Sequence, residues 1–333
     1  MPQRRNDIDI AKGLAILFVV FGHLVARQDP QNLHWYEPLR RAVYAFHMPF
    51  FLYLSGLVAV YSGFLNRGRA SWRRAMQERA LRLLLPFFGL GLLVLAGKLT
   101  AAHFLFVDNV PPDVWAGLTG LFWHSAASPA LSIWYLFVLF ILTMATLWFL
   151  DGQARRLPWL LVASLCLFWV PVPAYLYADR VFTYAPFFLL GAMAGFASRE
   201  WDARMDRFWP FALALFLAGL TGVALWGRGD EQKILLLPLG ALSMPALHGL
   251  ARWLERHGIY GSLRALGRYS FMIYLGNTIC IGLAKGMMLR LMPWDGAHFL
   301  FFAPALMAAG LWGPIAIKRY GFKHLPALDR MTR

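Results

Sequence analysis

The sequence predicts an all-helical, polytopic membrane protein with about ten transmembrane helices and both termini on the cytoplasmic side. Three observations carry that expectation. Of 333 residues 59% are hydrophobic, and the mean hydropathy is +0.52, more apolar side chain than a soluble core takes up. Ten segments approach or exceed the length needed to cross hydrocarbon: 8–26, 41–63, 82–106, 131–150, 157–173, 181–198, 208–227, 234–254, 269–291 and 297–317. Finally, 22 of the 32 lysines and arginines fall in the termini and alternate loops, 7 fall in the other loops, and Lys12, Lys98 and Lys285 lie within segments. Cytoplasmic loops carry that excess, which sets the orientation.

The first segment follows Arg4 and Arg5, has no small-residue cleavage site after it and carries Lys12 and His23 inside it, so it reads as a retained helix and not a signal peptide. The second begins after Arg40 and Arg41, and the third opens on Arg79-x-x-Arg82 and Pro86. The fifth and sixth are short and flanked by Pro171, Pro173 and Pro186, which blurs their boundaries. The remaining five continue the alternation of basic and less basic loops. No repeat, low-complexity tract or soluble insertion interrupts them, and residues 1–333 read as one membrane domain.

A net charge of +15 invites a nucleic-acid reading, but the basic residues are dispersed in small groups between apolar segments, as membrane topology requires. Cys166 and Cys280 both fall in apolar segments and read as packed thiols. No nucleophile elbow, P-loop, zinc-protease motif or dinucleotide fingerprint is present.

Ionisable groups inside spans are costly and usually functional. His23 lies ~22 Å along its helix from the inner face, at 1.5 Å per residue. His47, on the returning helix, lies ~7 Å below the outer face, so in a ~30 Å core the two histidines share a level. His23 suits a general base. His47 reads as its partner, a substrate-orienting group or a structural donor, and two histidines without a third ligand make a poor metal site, so no metal is expected. Asp9 and Lys12, three residues apart near the inner face, either pair across one turn or serve the substrate. Arg79 and Arg82 form either an ordinary positive-inside cluster or a guanidinium fork for a phosphorylated cofactor. Lys98 and Lys285 lie deeper. The outer loop 107–130, with Asp108, Asp113, His124 and several tryptophans, suits carbohydrate, although aromatics gather at every membrane interface.

The run Asp9-Ile-Ala-Lys-Gly with Val-Val-Phe-Gly-His23 resembles the first helix of the acyltransferase-3 family of membrane acyltransferases. Phe46-His-Met-Pro-Phe-Phe with Ser55-Gly56 resembles its second. Arg79-x-x-Arg82-Leu-Leu-Leu-Pro86, Ile133-Trp134-Tyr135-Leu136 and Leu266-Gly-Arg-Tyr-Ser-Phe-Met-Ile-Tyr274 follow in order. The resemblance implies a ten-helix enzyme of the bacterial cytoplasmic (inner) membrane, moving an acyl group, usually acetyl, from cytoplasmic acyl-CoA to a hydroxyl of a sugar or polysaccharide. By position His23 takes the place of the catalytic histidine, Lys12 that of the basic residue eleven positions before it, and Arg79 and Arg82 those of the third-helix arginines. Asn277 stands where many relatives have histidine, and no glutamate follows Trp134, which places the chain nearer the compact exopolysaccharide O-acetyltransferases.

In the implied mechanism Arg79 and Arg82 hold acetyl-CoA phosphates at the inner face. The pantetheine arm, of order 15–20 Å extended, rises towards His23. His23, aided by His47, deprotonates the sugar hydroxyl, with Lys98, Lys285 or Trp134 stabilising the oxyanion; transfer through an acetyl-histidine is equally compatible. A transporter or flippase of a glycan also carries buried charges, but inverted repeats expected there are absent from the sequence. A non-catalytic subunit of a polysaccharide export complex would not need His23.

Overall fold

The computed structural model describes residues 5–25, 29–104, 107, 110–227 and 232–322, less the side chains of Leu131 and Gln232. Arg4, Arg27, Asp108, Arg228, Lys323, Arg330 and Arg333, and the last residues of the expected spans 8–26 and 82–106, lie outside the described residues. Among the described residues regular structure is helical throughout, and the strand-like pairings are two isolated bridges, Gln31 with Asp295 and His124 with Tyr175.

In chain order the α-helices are α1 (Asn6–Gly22), α2 (Tyr36–Tyr44), α3 (His47–Tyr61), α4 (Trp72–Arg79), α5 (Leu85–Ala101), α6 (Val114–Phe122), α7 (Trp134–Leu150) and α8 (Leu157–Trp169). They continue with α9 (Ala178–Phe196), α10 (Ser198–Trp226), α11 (Gln232–Ser243), α12 (Gly249–Arg256), α13 (Gly261–Arg268), α14 (Ser270–Met288) and α15 (Phe299–Ala316). A π-helical turn, Ala80–Leu84, joins α4 to α5. Each of the ten expected segments is helical over most of its length. Among the described residues six helical runs are long and apolar enough to cross a membrane: Tyr36–Tyr61, Arg69–Ala101, Ser198–Trp226, Lys233–Arg256, Ser270–Met288 and Phe299–Gly321. A seventh is reached if Trp134–Leu150 and Ala154–Trp169, bent by 110° on each other, form one span. The bend follows from the chain chemistry at its corner, where Asp151 and Gly152 adopt φ of 47° and 71° and end α7 in the left-handed region.

α1 is the central helix. Ile10, Ala11, Ala15 and Ile16 are fully buried, packed among α3, α12, α13, α14 and α15. Around it, α5, α8 and α10 turn Leu93, Trp159 and Phe211 outward, the pattern of a helix surface that meets lipid. α3 and α9 approach backbone to backbone. A Cβ on Gly56 would sit 2.0 Å from the Phe188 carbonyl oxygen, and one on Gly191 would sit 1.9 Å from that of Tyr53. Small residues permit such contact where no water drives helices together. Cys280 is packed but Cys166 is exposed, so only one thiol is packed as expected. Cys166 lies on the exposed face of α8.

An ion network clamps the start of α1. Asp7, 2% exposed, meets Arg5 at 2.5 Å, His248 at 3.2 Å and Arg252 at 3.3 Å. Arg5 and Arg252 also hold Asp202 at 2.9 and 3.1 Å, and Arg252 reaches Asp206 at 2.8 Å. Tyr53 hydrogen-bonds His248 Nδ1 at 2.8 Å, and Trp201 Nε1–H donates to the same tyrosine at 2.8 Å. Charges of both signs thus meet around buried Asp7 from α1, α10, α12 and the segment between α11 and α12, the arrangement that burial requires of them.

Candidate active site

α1 stops at Gly22, so His23 leaves the helix instead of continuing within a span to residue 26 as expected; its φ and ψ are −98° and 0°. The last carbonyls of a helix have no partner inside it. Here α2 supplies them: Tyr36 Oη donates to Phe21 O at 2.7 Å and Tyr44 Oη to Gly22 O at 2.8 Å. Gly22 is the residue this requires, since a Cβ there would lie 2.6 Å from Tyr44 Cε1.

His23 Nδ1 lies 2.8 Å from Asn277 Oδ1 on α14. Asn277 is fully buried, and its Nδ2 donates to the carbonyls of Ile273 at 2.9 Å and Tyr274 at 2.8 Å. Both amide hydrogens are therefore committed, and the opposite amide orientation would set oxygen against two carbonyls. Asn277 thus presents an acceptor, Nδ1 of His23 carries the hydrogen, and Nε2 is left with its lone pair. His47, at the start of α3, is ordered in the same sense: its Nδ1–H donates to Val43 O at 2.8 Å. Tyr44, already bonded to Gly22, packs on the His47 ring with centroids 5.0 Å apart, so one tyrosine touches the segments of both histidines.

Both histidines line a cavity of about 1320 Å³. Lys98 from α5, Trp134 at the start of α7 and Lys285 from α14 line the same cavity. Trp134 stacks on Tyr184 with centroids 4.9 Å apart and carries the Arg180 guanidinium 4.6 Å from its ring centre. Lys285, 8% exposed, stands 4.2 Å over the Trp294 ring. A base, cationic donors and an indole N–H in one partly apolar chamber can accept a proton and stabilise an oxyanion.

The other expected residues lie elsewhere. Asp9 is buried against α13, where Arg268 is 3.9 Å away, and Lys12 sits on α1 about 16 Å of helix rise below His23. Neither lines the cavity. Arg79 and Arg82 flank and occupy the π-helical turn before α5. The Arg79 guanidinium lies 4.0 Å from the Phe64 ring centre, within electrostatic reach of Arg82 and Tyr135. Tyr135 in turn bonds Ser55 Oγ at 2.5 Å, and it follows directly on the cavity-lining Trp134. The adjacent pair Trp134 and Tyr135 therefore looks both ways, to the histidine chamber and to the arginines. In the loop 107–130, Asp113 caps α6 by accepting from Ala116 N at 2.7 Å, a structural task, and His124 packs on Tyr175 at 5.1 Å.

Sequence reasoning missed Asn277 as a partner of His23. The signal was there, as an amide within a largely apolar segment, but its contact spans 254 positions.

Comparisons with known proteins identify the family. A family model described as an acyltransferase domain matches residues 5–319. The nodulation protein NolL of Sinorhizobium fredii is 33% identical over 341 aligned residues, covering 92% of this chain and 86% of the relative. NolL of Mesorhizobium japonicum is 26% identical over 309 residues, covering 87% and 78%. No solved structure matches. With nearly the whole chain matched, the protein is a multi-pass member of the acyltransferase-3 family of membrane acyltransferases.

Proposed function

We propose that the protein is a sugar O-acetyltransferase of the bacterial inner membrane, a single domain with ten spans and both termini in the cytoplasm. It takes acetyl from acetyl-CoA at the Arg79 and Arg82 end and gives it to a hydroxyl of a surface or exported polysaccharide in the His23 chamber. The observation that carries the reading is the hydrogen bond of His23 Nδ1 to Asn277 at 2.8 Å, which leaves Nε2 as a base beside a chamber large enough for sugar.

In this reading Nε2 takes the proton of the acceptor hydroxyl as its oxygen attacks the thioester carbonyl. The C–O bond forms, and the carbonyl oxygen takes up the charge beside Lys98, Lys285 and the Trp134 indole N–H. The C–S bond then breaks, and the proton on Nε2 passes to the departing thiolate, so His23 ends neutral. His47, with its Nδ1–H held by Val43 O, offers Nε2 as an acceptor that orients a second hydroxyl. Asp9 and Lys12, set well below the chamber, serve α1 and the donor's path in place of bond-making.

The test is transfer of radiolabelled acetyl from acetyl-CoA to surface glycan, comparing wild type with His23→Ala at equal membrane expression. Label lost only in the variant supports the reading. Equal label in both removes His23 from the chemistry.

A further inference from the structure

The chamber beside His23 is strongly basic. Among the described residues Arg41, Lys98, Arg180, Lys233, Lys285 and Arg290 line it against one carboxylate, Asp179. They converge from α2, α5, α9, α11, α14 and the turn after α14, so no single loop explains them. Among the described residues Arg41, Arg180, Lys233 and Arg290 make no ion pair, whereas neighbouring Arg40 is paired with Glu37 at 2.5 Å. Cations gathered in a partly apolar chamber repel one another and are held there at a cost unless countercharge arrives. A neutral sugar brings none.

A second observation concerns Asp179. Its Oδ1 is buried with no hydrogen-bond partner among the described residues, in the wall that also holds Arg180, Trp134 and Tyr184. A buried acceptor left without a donor is uncommon, and a sugar hydroxyl is the donor its surroundings fit.

Resting on the acetyltransferase reading above, we propose that the acceptor is an anionic glycan. Its reactive hydroxyl meets His23, a second hydroxyl donates to Asp179, and a phosphoryl or carboxylate group on the same molecule lies among Arg41, Arg180, Lys233 and Arg290. A sugar diphosphate on a polyprenyl lipid and a uronic-acid glycan share this chemistry. The donor's phosphates are assigned elsewhere, since Arg79 and Arg82 do not line the chamber.

The experiment is equilibrium binding to the purified full-length protein of three matched disaccharides: cellobiose, cellobiouronic acid and cellobiose 1-phosphate. At least one anionic form is expected to bind about 10-fold more tightly than cellobiose, with the preference falling in high salt. Preference for the phosphate points to the lipid-diphosphate source and preference for the uronate to an acidic sugar. Arg41→Gln with Arg180→Gln brings the ratio towards one, and Lys233→Gln with Arg290→Gln does the same should the first pair not fold. A wild-type ratio near one, a preference that survives both pairs, or competitive displacement of the anion by coenzyme A overturns the proposal. Acetyl transfer to the same disaccharides is read in parallel. Transfer at equal kcat/KM to neutral and anionic forms overturns the anionic acceptor and leaves the acetyltransferase reading intact. Anion preference without transfer supports the anion site and tells against the reaction.

Discussion

His23 and Asn277, 254 positions apart in the chain, meet at 2.8 Å, and the asparagine fixes which imidazole nitrogen is free. Asn277→Leu keeps the volume but removes the acceptor, so the ring is no longer held in one tautomer and orientation. We expect kcat for acetyl transfer to fall by about 100-fold, with KM for acetyl-CoA unchanged. Initial rates on protein of verified thermal stability check this; an unchanged kcat would reduce Asn277 to packing.

Tyr44 holds the unwound end of α1 through the Gly22 carbonyl at 2.8 Å. Tyr44→Phe leaves that carbonyl without its donor at a cost of about 1 kcal/mol, about fivefold in rate if all of it falls on the placement of His23. Activity and Tm measured together distinguish a misplaced histidine from a loosened fold.

Arg79 and Arg82 sit at a π-helical turn, a feature frequent at functional sites. If they hold the donor's phosphates as proposed, replacing either by glutamine removes a charged hydrogen bond of about 1.5–3 kcal/mol. KM for acetyl-CoA is expected to rise by about 10- to 100-fold, while KM for the acceptor stays constant. An equal rise for both substrates would refute the donor assignment.

Asp7 is almost fully buried between Arg5, His248 and Arg252. Asp7→Asn removes the shared countercharge and leaves cations buried, with an expected loss of about 3 kcal/mol or more. Thermal unfolding in detergent should show a clearly lowered midpoint; a midpoint within a degree of wild type would show that Asp202 and Asp206 suffice.

The loop ahead of α15 carries a pH-dependent contact. Asp295 is held below the ordinary carboxylate range by the backbone N–H and the imidazole of His298. A carboxylate shifted that way stabilises the loop above its unfolded pKa and loses that contribution as pH falls through its lower folded value. The Gln31–Gly296 pairing, 2.7 Å from Gly296 N to Gln31 O, should exchange its amide hydrogen relatively faster at pH 3 than at pH 6, after correction for intrinsic exchange. Asp295→Asn should remove that difference.

Much of the architecture was legible because hydropathy reports the medium each segment lies in, and each of the ten segments is helical. His23, His47, Lys98 and Trp134 meet at one chamber, since a polar group inside an apolar segment is conspicuous on its own. Contacts between segments were not legible. Nothing local says that Tyr36 and Tyr44 end α1 early, that Asn277 faces His23, or that Asp7 meets His248 and Arg252, 241 and 245 positions away. The corner after α7 was equally hidden, because it turns on Asp151 taking the left-handed region, which a non-glycine residue rarely does.

α1 has 17 residues, a rise of about 24 Å, against a hydrocarbon core of about 30 Å. A helix that stops short leaves its last residue at the bottom of a well. A polymer lying flat along the membrane passes over such a well without reaching the imidazole. A chain end or a single protruding branch drops into it. For the acceptor proposed above, the early stop at Gly22 predicts modification of one exposed unit at a time, with release after each, rather than a steady march along a backbone.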